Sequence, residues 1–307
     1  MILALAGGVG GARLAQGLAA VLPPDKLVIV VNTGDDFEHL GFPICPDIDT
    51  VCYTLAGIND ASQGWGLAGE SWAFMDAIAR LGGDSWFNLG DRDLATHSVR
   101  RMMLESHSLS QVTAHIASRL GIAHPIAPMS DDPVRSIVDT DEGELAFQHY
   151  FVRRRAEPRF RSIRFEGADR ARPSPALLAA LDDPGLEAII LCPSNPVLSI
   201  APILALPGIR ARLEARTVPI VAVSPFIGGR AIKGPAAKIM DELGIPATPA
   251  GLASWYGDLL DGLVIDRADA DDPVEGLSLH ITDTLMRDGD DRRRLAAETL
   301  DFARSLR

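Results

Sequence analysis

Residues 2–22 read ILALAGGVGGARLAQGLAAVL, a short apolar run followed by a cluster of glycines and an alanine- and leucine-rich segment. The apolar run predicts a buried strand at Ile2–Ala6. The segment from Leu14 to Leu22 predicts a helix that ends at Pro23-Pro24. A strand that passes through glycines directly into a helix is typical of the first unit of a parallel α/β sheet.

Similar apolar runs recur along the chain, with helix-like segments between them. These runs are Leu27–Val31, Glu187–Cys192, Pro219–Val223 and Leu263–Asp266. Strands that alternate with helices, and that are apolar throughout, are typical of sheets buried on both faces. The sequence therefore predicts an α/β fold with a doubly wound, mostly parallel sheet.

The remaining segments complete a single domain over residues 1–307. Residues 64–123 have helical periodicity, for example over Glu70–Leu81 and Leu94–Leu104, and predict a predominantly helical insertion. Apolar and polar residues alternate over residues 143–165, which predicts antiparallel strands at a sheet edge. The tail from Asp291 predicts an amphipathic helix docked on the core.

The composition excludes several classes of partner. The 307 residues contain 41 Asp and Glu against 29 Lys and Arg, a net charge of −12 with His neutral. Nucleic acids and anionic membranes require a broad cationic surface, so neither is an expected partner. The three cysteines have no disulfide or metal-site spacing, and no stretch approaches the roughly 20 apolar residues of a membrane span. We therefore expect a cytoplasmic protein that holds any phosphate by local means.

The glycine cluster is the first candidate for such a means. Backbone N–H groups at Gly7, Gly8, Gly10 and Gly11 could approach a phosphate at the start of a helix. No Gly-Lys-Ser/Thr follows, which excludes a Walker loop, and Arg13 occupies the third small position of a dinucleotide fingerprint. The alternative is a tight strand-to-helix turn, for which glycine is also suited.

Two carboxylates, Asp47 and Asp49, lie two residues apart before a predicted helix at Val51–Ala56. In extended backbone this spacing puts both side chains on one face. Hard cations such as Mg²⁺ bind carboxylates together with substrate phosphates, so both residues are candidate metal ligands. Alternatively, Asp49 is an N-cap.

A third polar segment contains Arg92 between Asp91 and Asp93. Asp93 is a candidate N-cap of the following helix, and His97 is expected to be structural. Arg92 is either paired with its acidic neighbours or directed at an anionic or carbonyl-bearing ligand.

Two more polar loops follow predicted strands, where open α/β sheets bind ligands. Ser194 and Asn195 follow the strand that ends at Cys192. The later loop contains Ser224, Gly228-Gly229 and Lys233, which could hold a second phosphate or a base. The alternative for this loop is a plain connection.

Six segments occur in an order that resembles a known family. They are GGVGG at 7–11, VNTGDD at 31–36, PDIDT at 46–50, LGDRD at 89–93, PMSDDP at 128–133 and PSNP at 193–196. Together they resemble the 2-phospho-L-lactate transferase family of coenzyme F420 biosynthesis, from the first strand to about Asp266.

The resemblance implies a Rossmann-like core with a helical insertion, usually in a homodimer. It also implies the transfer of a phospho-acyl unit, with Mg²⁺, from a guanosine-diphosphate-activated acid to the ribityl hydroxyl of the deazaflavin Fo, with release of GMP. The acid is 2-phospholactate, phosphoenolpyruvate or 3-phosphoglycerate, and the sequence does not choose among them. It also leaves open whether the guanylyltransferase that forms the donor is a partner.

The family's functional positions fall on residues already noted. The catalytic and acceptor site falls on Asp49 and Arg92, and the metal site on Asp47 and Asp49. The donor nucleotide site falls on Gly7, Gly8, Gly10, Gly11, Arg13, Ser194, Asn195, Ser224, Gly228, Gly229 and Lys233. Many relatives have an acidic residue where this chain has His149, so we hypothesise that His149 bears on the choice of acid.

Two other functions are compatible with the first strand and its turn. One is a non-catalytic nucleotide-ligand-binding regulator that resembles the gluconeogenesis factor family, although that family lacks the Pro-Asp-x-Asp-Thr segment. The other is a nicotinamide dehydrogenase. Arg13 and the missing acid directly after the second strand argue against it.

Overall fold

The computed structural model describes residues 1–231, 234–272 and 274–307. Its strands in chain order are β1 (Ile2–Ala6), β2 (Leu27–Val31), β3 (Phe37–His39), β4 (Phe42–Ile44), β5 (Ile126–Pro128), β6 (Arg135–Thr140), β7 (Gly143–Ala146), β8 (Phe160–Glu166), β9 (Ala188–Leu191), β10 (Ile220–Val223), β11 (Phe226–Ile227), β12 (Arg230–Ala231), β13 (Gly262–Asp266) and β14 (Ser278–Thr282). Within these ranges, seven strands form one sheet in the order β14-β13-β10-β9-β1-β2-β5. Every neighbouring pair in it is parallel.

Helices cover both faces of this sheet. They are α1 (Gly8–Val21), α2 (Pro46–Leu55), α3 (Ala73–Arg80), α4 (Asp93–Leu104), α5 (Leu109–Arg119), α6 (Pro175–Leu181), α7 (Ala201–Leu204), α8 (Ile209–Glu214), α9 (Ala236–Glu242), α10 (Pro249–Tyr256) and α11 (Gly289–Ser305). In the part of the chain that the structure describes, no helix is both long and apolar enough to cross a membrane.

The two faces of the sheet have separate cores, because successive side chains of a strand point to opposite faces. In β1, Leu3 and Leu5 join the core that contains residues of α6 to α10. Ile2, Ala4 and Ala6 join the core that contains residues of α1, α2, α5 and α11. The predicted doubly wound, Rossmann-like α/β fold is therefore confirmed.

Residues 64–123 contain α3, α4 and α5. The predicted helix at Glu70–Leu81 begins later, at Ala73, and Leu94–Leu104 corresponds to α4. Met75 of α3 packs with Ile44 and Leu89 in a small third core beside the sheet.

The predicted antiparallel edge strands are present at both ends of residues 143–165, as β7 and β8. These residues do not extend the main sheet; they form a separate antiparallel sheet in the order β7-β6-β8. Alternation predicts that one face of a strand is buried, but it does not say against what. The tail prediction is accurate, since α11 buries Leu295 and Leu300 beside α1.

The contact between α1 and α11 predicts the effect of a small substitution. Alanine normally stabilises a helix interior by about 1 kcal/mol relative to glycine. A Cβ at Gly17, however, would overlap the backbone carbonyl oxygen of Arg292. We therefore expect Gly17→Ala to lower the free energy of unfolding by about 1–3 kcal/mol, measured by urea denaturation. The control is Gly289→Ala, because a Cβ there meets no atom within 4 Å. Equal stability of Gly17→Ala and wild type would contradict this packing.

Candidate active site

A cavity of about 620 Å³ opens at the carboxyl ends of the parallel strands. Loops that follow β1, β2, β9, β10 and β14 all contribute to its wall. The contributing residues are Gly7, Gly8, Val9, Gly10, Asp35, Ser194, Asn195, Ser224, Thr284 and Met286. This is the position at which open α/β sheets bind their ligands.

The glycine turn joins three chain segments at this cavity. The N–H of Gly7 donates to Ser194 Oγ (3.1 Å), and the N–H of Gly8 donates to Asp47 Oδ1 (2.8 Å). A Cβ at Gly10 would overlap the Pro193 carbonyl oxygen, so glycine permits this close approach. The alternative of a tight strand-to-helix turn therefore explains part of the glycine cluster. Val9 and Gly10 lie in the first turn of α1 and line the cavity, where helix N–H groups favour an anion.

Asp47 and Asp49 are separated by helical geometry. α2 begins at Pro46, before the predicted start at Val51, so both acids lie in its first turn and not in extended backbone. Helical residues two apart point about 200° away from each other. Asp47 points to the glycine turn and also accepts from Asn32 Nδ2 (2.9 Å). The expected shared face is thus wrong, although both residues line the cavity.

Asp35 lies close enough to Asp47 for their negative charges to interact. Its Oδ1 atom is buried with no hydrogen-bond partner among the described residues. Burial, together with the charge of Asp47, raises the pKa of Asp35 well above its usual value. Burial also raises the pKa of Asp47 to about 6. Two buried acids without a counter-cation suit a divalent ion. Asp35 was not among the predicted site residues, and the signal for it was its position just after the second strand.

Asp49 has an internal counter-cation. Arg100 Nη1 donates to Asp49 Oδ2 (3.1 Å), and Nη2 donates to Asp49 Oδ1. Burial raises the pKa of Asp49, and the Arg100 guanidinium opposes this rise. Ligand atoms of Asp49, Asp93 and His97 lie within 4.8 Å of one another, as in a metal site. The Arg100 guanidinium already occupies the Asp49 carboxylate, so this group fits a metal ion poorly.

Three more predicted donor residues line the cavity and have structural contacts. Asn195 Oδ1 accepts from the N–H groups of Val197 and Leu198, and Ser224 Oγ accepts from the N–H of Phe226 (3.1 Å). Arg13 Nη1 donates to the carbonyl of Met286 (3.3 Å). These contacts fix the loops, and the side chains still face the cavity.

Other predicted residues lie away from the cavity wall. Arg92 is exposed, and its guanidinium donates to the Ala68 carbonyl (3.0 Å). A Cβ added at Gly11 would meet Ser194 Oγ. The N–H groups of Gly228 and Gly229 donate to the Asp269 carboxylate (3.0 and 3.2 Å), which leaves them unavailable to a phosphate. Lys233 lies outside the described residues.

Aromatic side chains from the insertion and from the segment after β7 form another part of the wall. They are Trp65, Trp86, Phe87, Phe147 and Phe151. His149 contacts the edge of the Trp86 ring, with ring centroids 4.6 Å apart, and is not itself part of the wall. Sequence reasoning did not identify this aromatic surface, because its members come from distant segments.

Comparison with known proteins identifies the family of the chain. A family model described as 2-phospho-L-lactate transferase CofD matches residues 2–294. The chain belongs to this family. Similar curated proteins include the phosphoenolpyruvate transferase of Kitasatospora aureofaciens, 43% identical over all of this chain and 98% of that protein. The 2-phospho-L-lactate transferase of Methanosarcina mazei is 38% identical over 96% of this chain and 98% of its own length.

A solved structure shows the same fold. A UPF0052 family protein (bh3568) from Bacillus halodurans superposes with a TM-score of 0.59 and covers 97% of this chain and 98% of its own. At 14% identity, this similarity concerns the fold alone. Membership of the CofD family makes the chain an enzyme of the transferase class and confirms the resemblance found in the sequence.

The raised pKa of Asp47 predicts how the stability of this CofD-family protein changes with pH. Folding raises this pKa from 3.8 to about 6, so protonated Asp47 favours the folded state. That stabilisation is fully present below the unfolded-state pKa and is lost as the pH rises through the folded-state pKa. We expect wild type to lose about 1 kcal/mol more free energy of unfolding than Asp47→Asn between about pH 5 and pH 7.

Urea denaturation in the presence of a chelator measures this difference. The control is Asp25→Asn, at an exposed residue of a short 3-10 helix. Parallel pH profiles for wild type and Asp47→Asn would show that Asp47 titrates normally.

Proposed function

We propose that this enzyme transfers a phospho-acyl unit from a guanosine-diphosphate-activated acid to the terminal ribityl hydroxyl of the deazaflavin Fo, as a step of coenzyme F420 biosynthesis. The acceptor oxygen forms a bond to the phosphorus that bears the acid. The bond from that phosphorus to the bridging oxygen breaks, GMP leaves with this oxygen, and the hydroxyl proton is released. The observation that carries the proposal is one cavity, in a CofD-family chain, lined by a helix N-terminus, buried acids and aromatic rings.

The donor phosphates fit the side of the cavity formed by the glycine turn. The first-turn amides of α1 at Val9 and Gly10 favour an anion, and Arg13 contributes a positive charge to the same wall. Ser194 and Asn195 form the adjoining wall after β9. These groups would hold the diphosphate without the broad cationic surface that the composition excludes.

Asp35 and Asp47 fit Mg²⁺ better than the predicted pair Asp47 and Asp49. The unpartnered Asp35 Oδ1 and the absence of a neighbouring cation among the described contacts of Asp47 favour this assignment. Asp49 is already neutralised by Arg100. A bound Mg²⁺ would neutralise negative charge on the diphosphate.

The acceptor fits the walls near Asp49 and the aromatic side chains. The Asp49 carboxylate lines the cavity and would accept a hydrogen bond from the attacking hydroxyl, which would orient its oxygen. Trp65, Trp86 and Phe151 offer apolar surface to a flat aromatic ring. His149 would influence the choice of acid through Trp86, whose ring it contacts.

Product analysis tests this function. Wild-type protein is mixed with Fo, Mg²⁺ and each of three guanosine-diphosphate-activated acids: 2-phospholactate, phosphoenolpyruvate and 3-phosphoglycerate. We expect mass spectrometry to find Fo carrying one acid, together with an equal amount of GMP. Binding of GDP without transfer from any of the three donors would exclude the proposed reaction and favour a nucleotide-binding regulator.

The metal assignment makes a separate prediction. Asp35→Asn removes a charge from the proposed ligand pair, so the Mg²⁺ concentration for half-maximal transfer should rise at least about 10-fold. Calorimetric titration of the metal into the protein should show the same loss of affinity. Asp25→Asn is the control of matched chemistry. An unchanged Mg²⁺ requirement in Asp35→Asn would remove Asp35 from the metal site.

A further inference from the structure

We propose that Arg100 is a positioning residue whose buried guanidinium holds the Asp49 carboxylate in the orientation that receives the acceptor hydroxyl. This inference rests on the proposed function. Arg100 itself is 1% exposed and does not line the cavity, whereas Asp49 does. Arg100 therefore acts through Asp49 and not by contact with substrate.

The contacts of Arg100 leave the Asp49 carboxylate little freedom. One guanidinium nitrogen is directed at each carboxylate oxygen, in the forked arrangement that arginine makes and lysine does not. Nη1 also lies 3.3 Å from the Pro43 carbonyl oxygen, which ties the guanidinium to β4. Each carboxylate oxygen has two lone pairs, so this pairing leaves acceptor capacity for a hydroxyl in the cavity.

Further polar contacts hold Arg100 in place. Nη1 lies 3.2 Å from His97 Nδ1. On the other side of the ring, His97 Nε2 lies 3.4 Å from Asp93 Oδ2. Asp93 Oδ1 accepts from the Tyr53 hydroxyl.

These five residues join two helices in a closed arrangement. Asp49 and Tyr53 are four residues apart on α2, and Asp93, His97 and Arg100 follow helical spacing on one face of α4. Hydrogen bonds and ion pairs connect the two faces at both ends. The insertion helix α4 thus fixes a side chain of the core helix α2 at the cavity.

Stability alone gives a weak reason for such a pair. Desolvation of a buried ion pair offsets most of its attraction, and apolar residues of similar volume are often as stable. The cavity-facing position of Asp49 gives the pair a functional consequence, because small misplacements of a reacting group reduce the rate strongly.

The test compares Arg100→Lys with Arg101→Lys, a control on the exposed side of the same helix. Lysine retains the charge and loses the fork. We expect Arg100→Lys to lower kcat about 10- to 100-fold, with the KM for the donor within about twofold of wild type. Arg101→Lys should match wild type. Thermal unfolding followed by circular dichroism verifies that both variants are folded.

Combination with Asp49→Asn tests whether Arg100 acts through Asp49. Asp49→Asn/Arg100→Gln removes both buried charges and leaves neither unpaired, which protects the fold. Fluorescence titration should give this double variant the same affinity for Fo, within about twofold, as Asp49→Asn alone.

Three results would overturn the inference. The first is a kcat for Arg100→Lys equal to that of Arg101→Lys, and the second is an equal loss of kcat/KM for the donor and for Fo in Arg100→Lys that comes entirely from higher KM values. The third is a further loss of Fo affinity in the double variant. If Arg100→Lys does not fold, the double variant decides. Failure of wild type to transfer any acid to Fo would instead overturn the proposed function.

Discussion

The turn between β1 and α1 is the constraint on which the site depends. β1 lies between β9 and β2 in the sheet, and the turn passes so close to Pro193 that Gly10 has no room for a side chain. The N–H groups of Gly7 and Gly8 then bond to Ser194 after β9 and to Asp47 at the start of α2. Three segments distant in sequence are thereby held together, and the cavity opens where they meet.

Under the proposed function, this arrangement lets a chain with a net charge of −12 hold the diphosphate of the donor. Two acids near the loops already have partners: Asp269 accepts from the glycines after β11, and Asp49 is paired with Arg100. Asp35 retains a buried oxygen that has no partner among the residues described by the structure, and its pKa is raised by burial and by Asp47. The carboxylates of Asp35 and Asp47 would therefore attract a cation locally, and the overall acidity of the surface does not determine what binds there.

The sequence was sufficient to predict the five inner strands of the parallel sheet, because each is a local apolar run. The edge strands β5 and β14 were not predicted. The site was less predictable, since its contacts join residues far apart in the chain. The partner of Asp49 is 51 positions away, and Asp269 is 41 positions from Gly228. Neither the contact of Arg100 with Asp49 nor that of the amides after β11 with Asp269 leaves a pattern in the neighbouring sequence. Asp35 was detectable in principle from its position after β2, as Ser194 was from its position after β9.

The start of α2 at Pro46 changes what the PDIDT segment does. Had Asp47 and Asp49 been in extended backbone, they would have formed one pair on one face. In a helix they diverge, so Asp47 meets the glycine turn while Asp49 meets the insertion helix α4. Phosphoryl transfer requires charge neutralisation at the phosphates and separate placement of the attacking oxygen. In the proposed function, one helical turn would supply a carboxylate for each requirement, because the two acids have different neighbours.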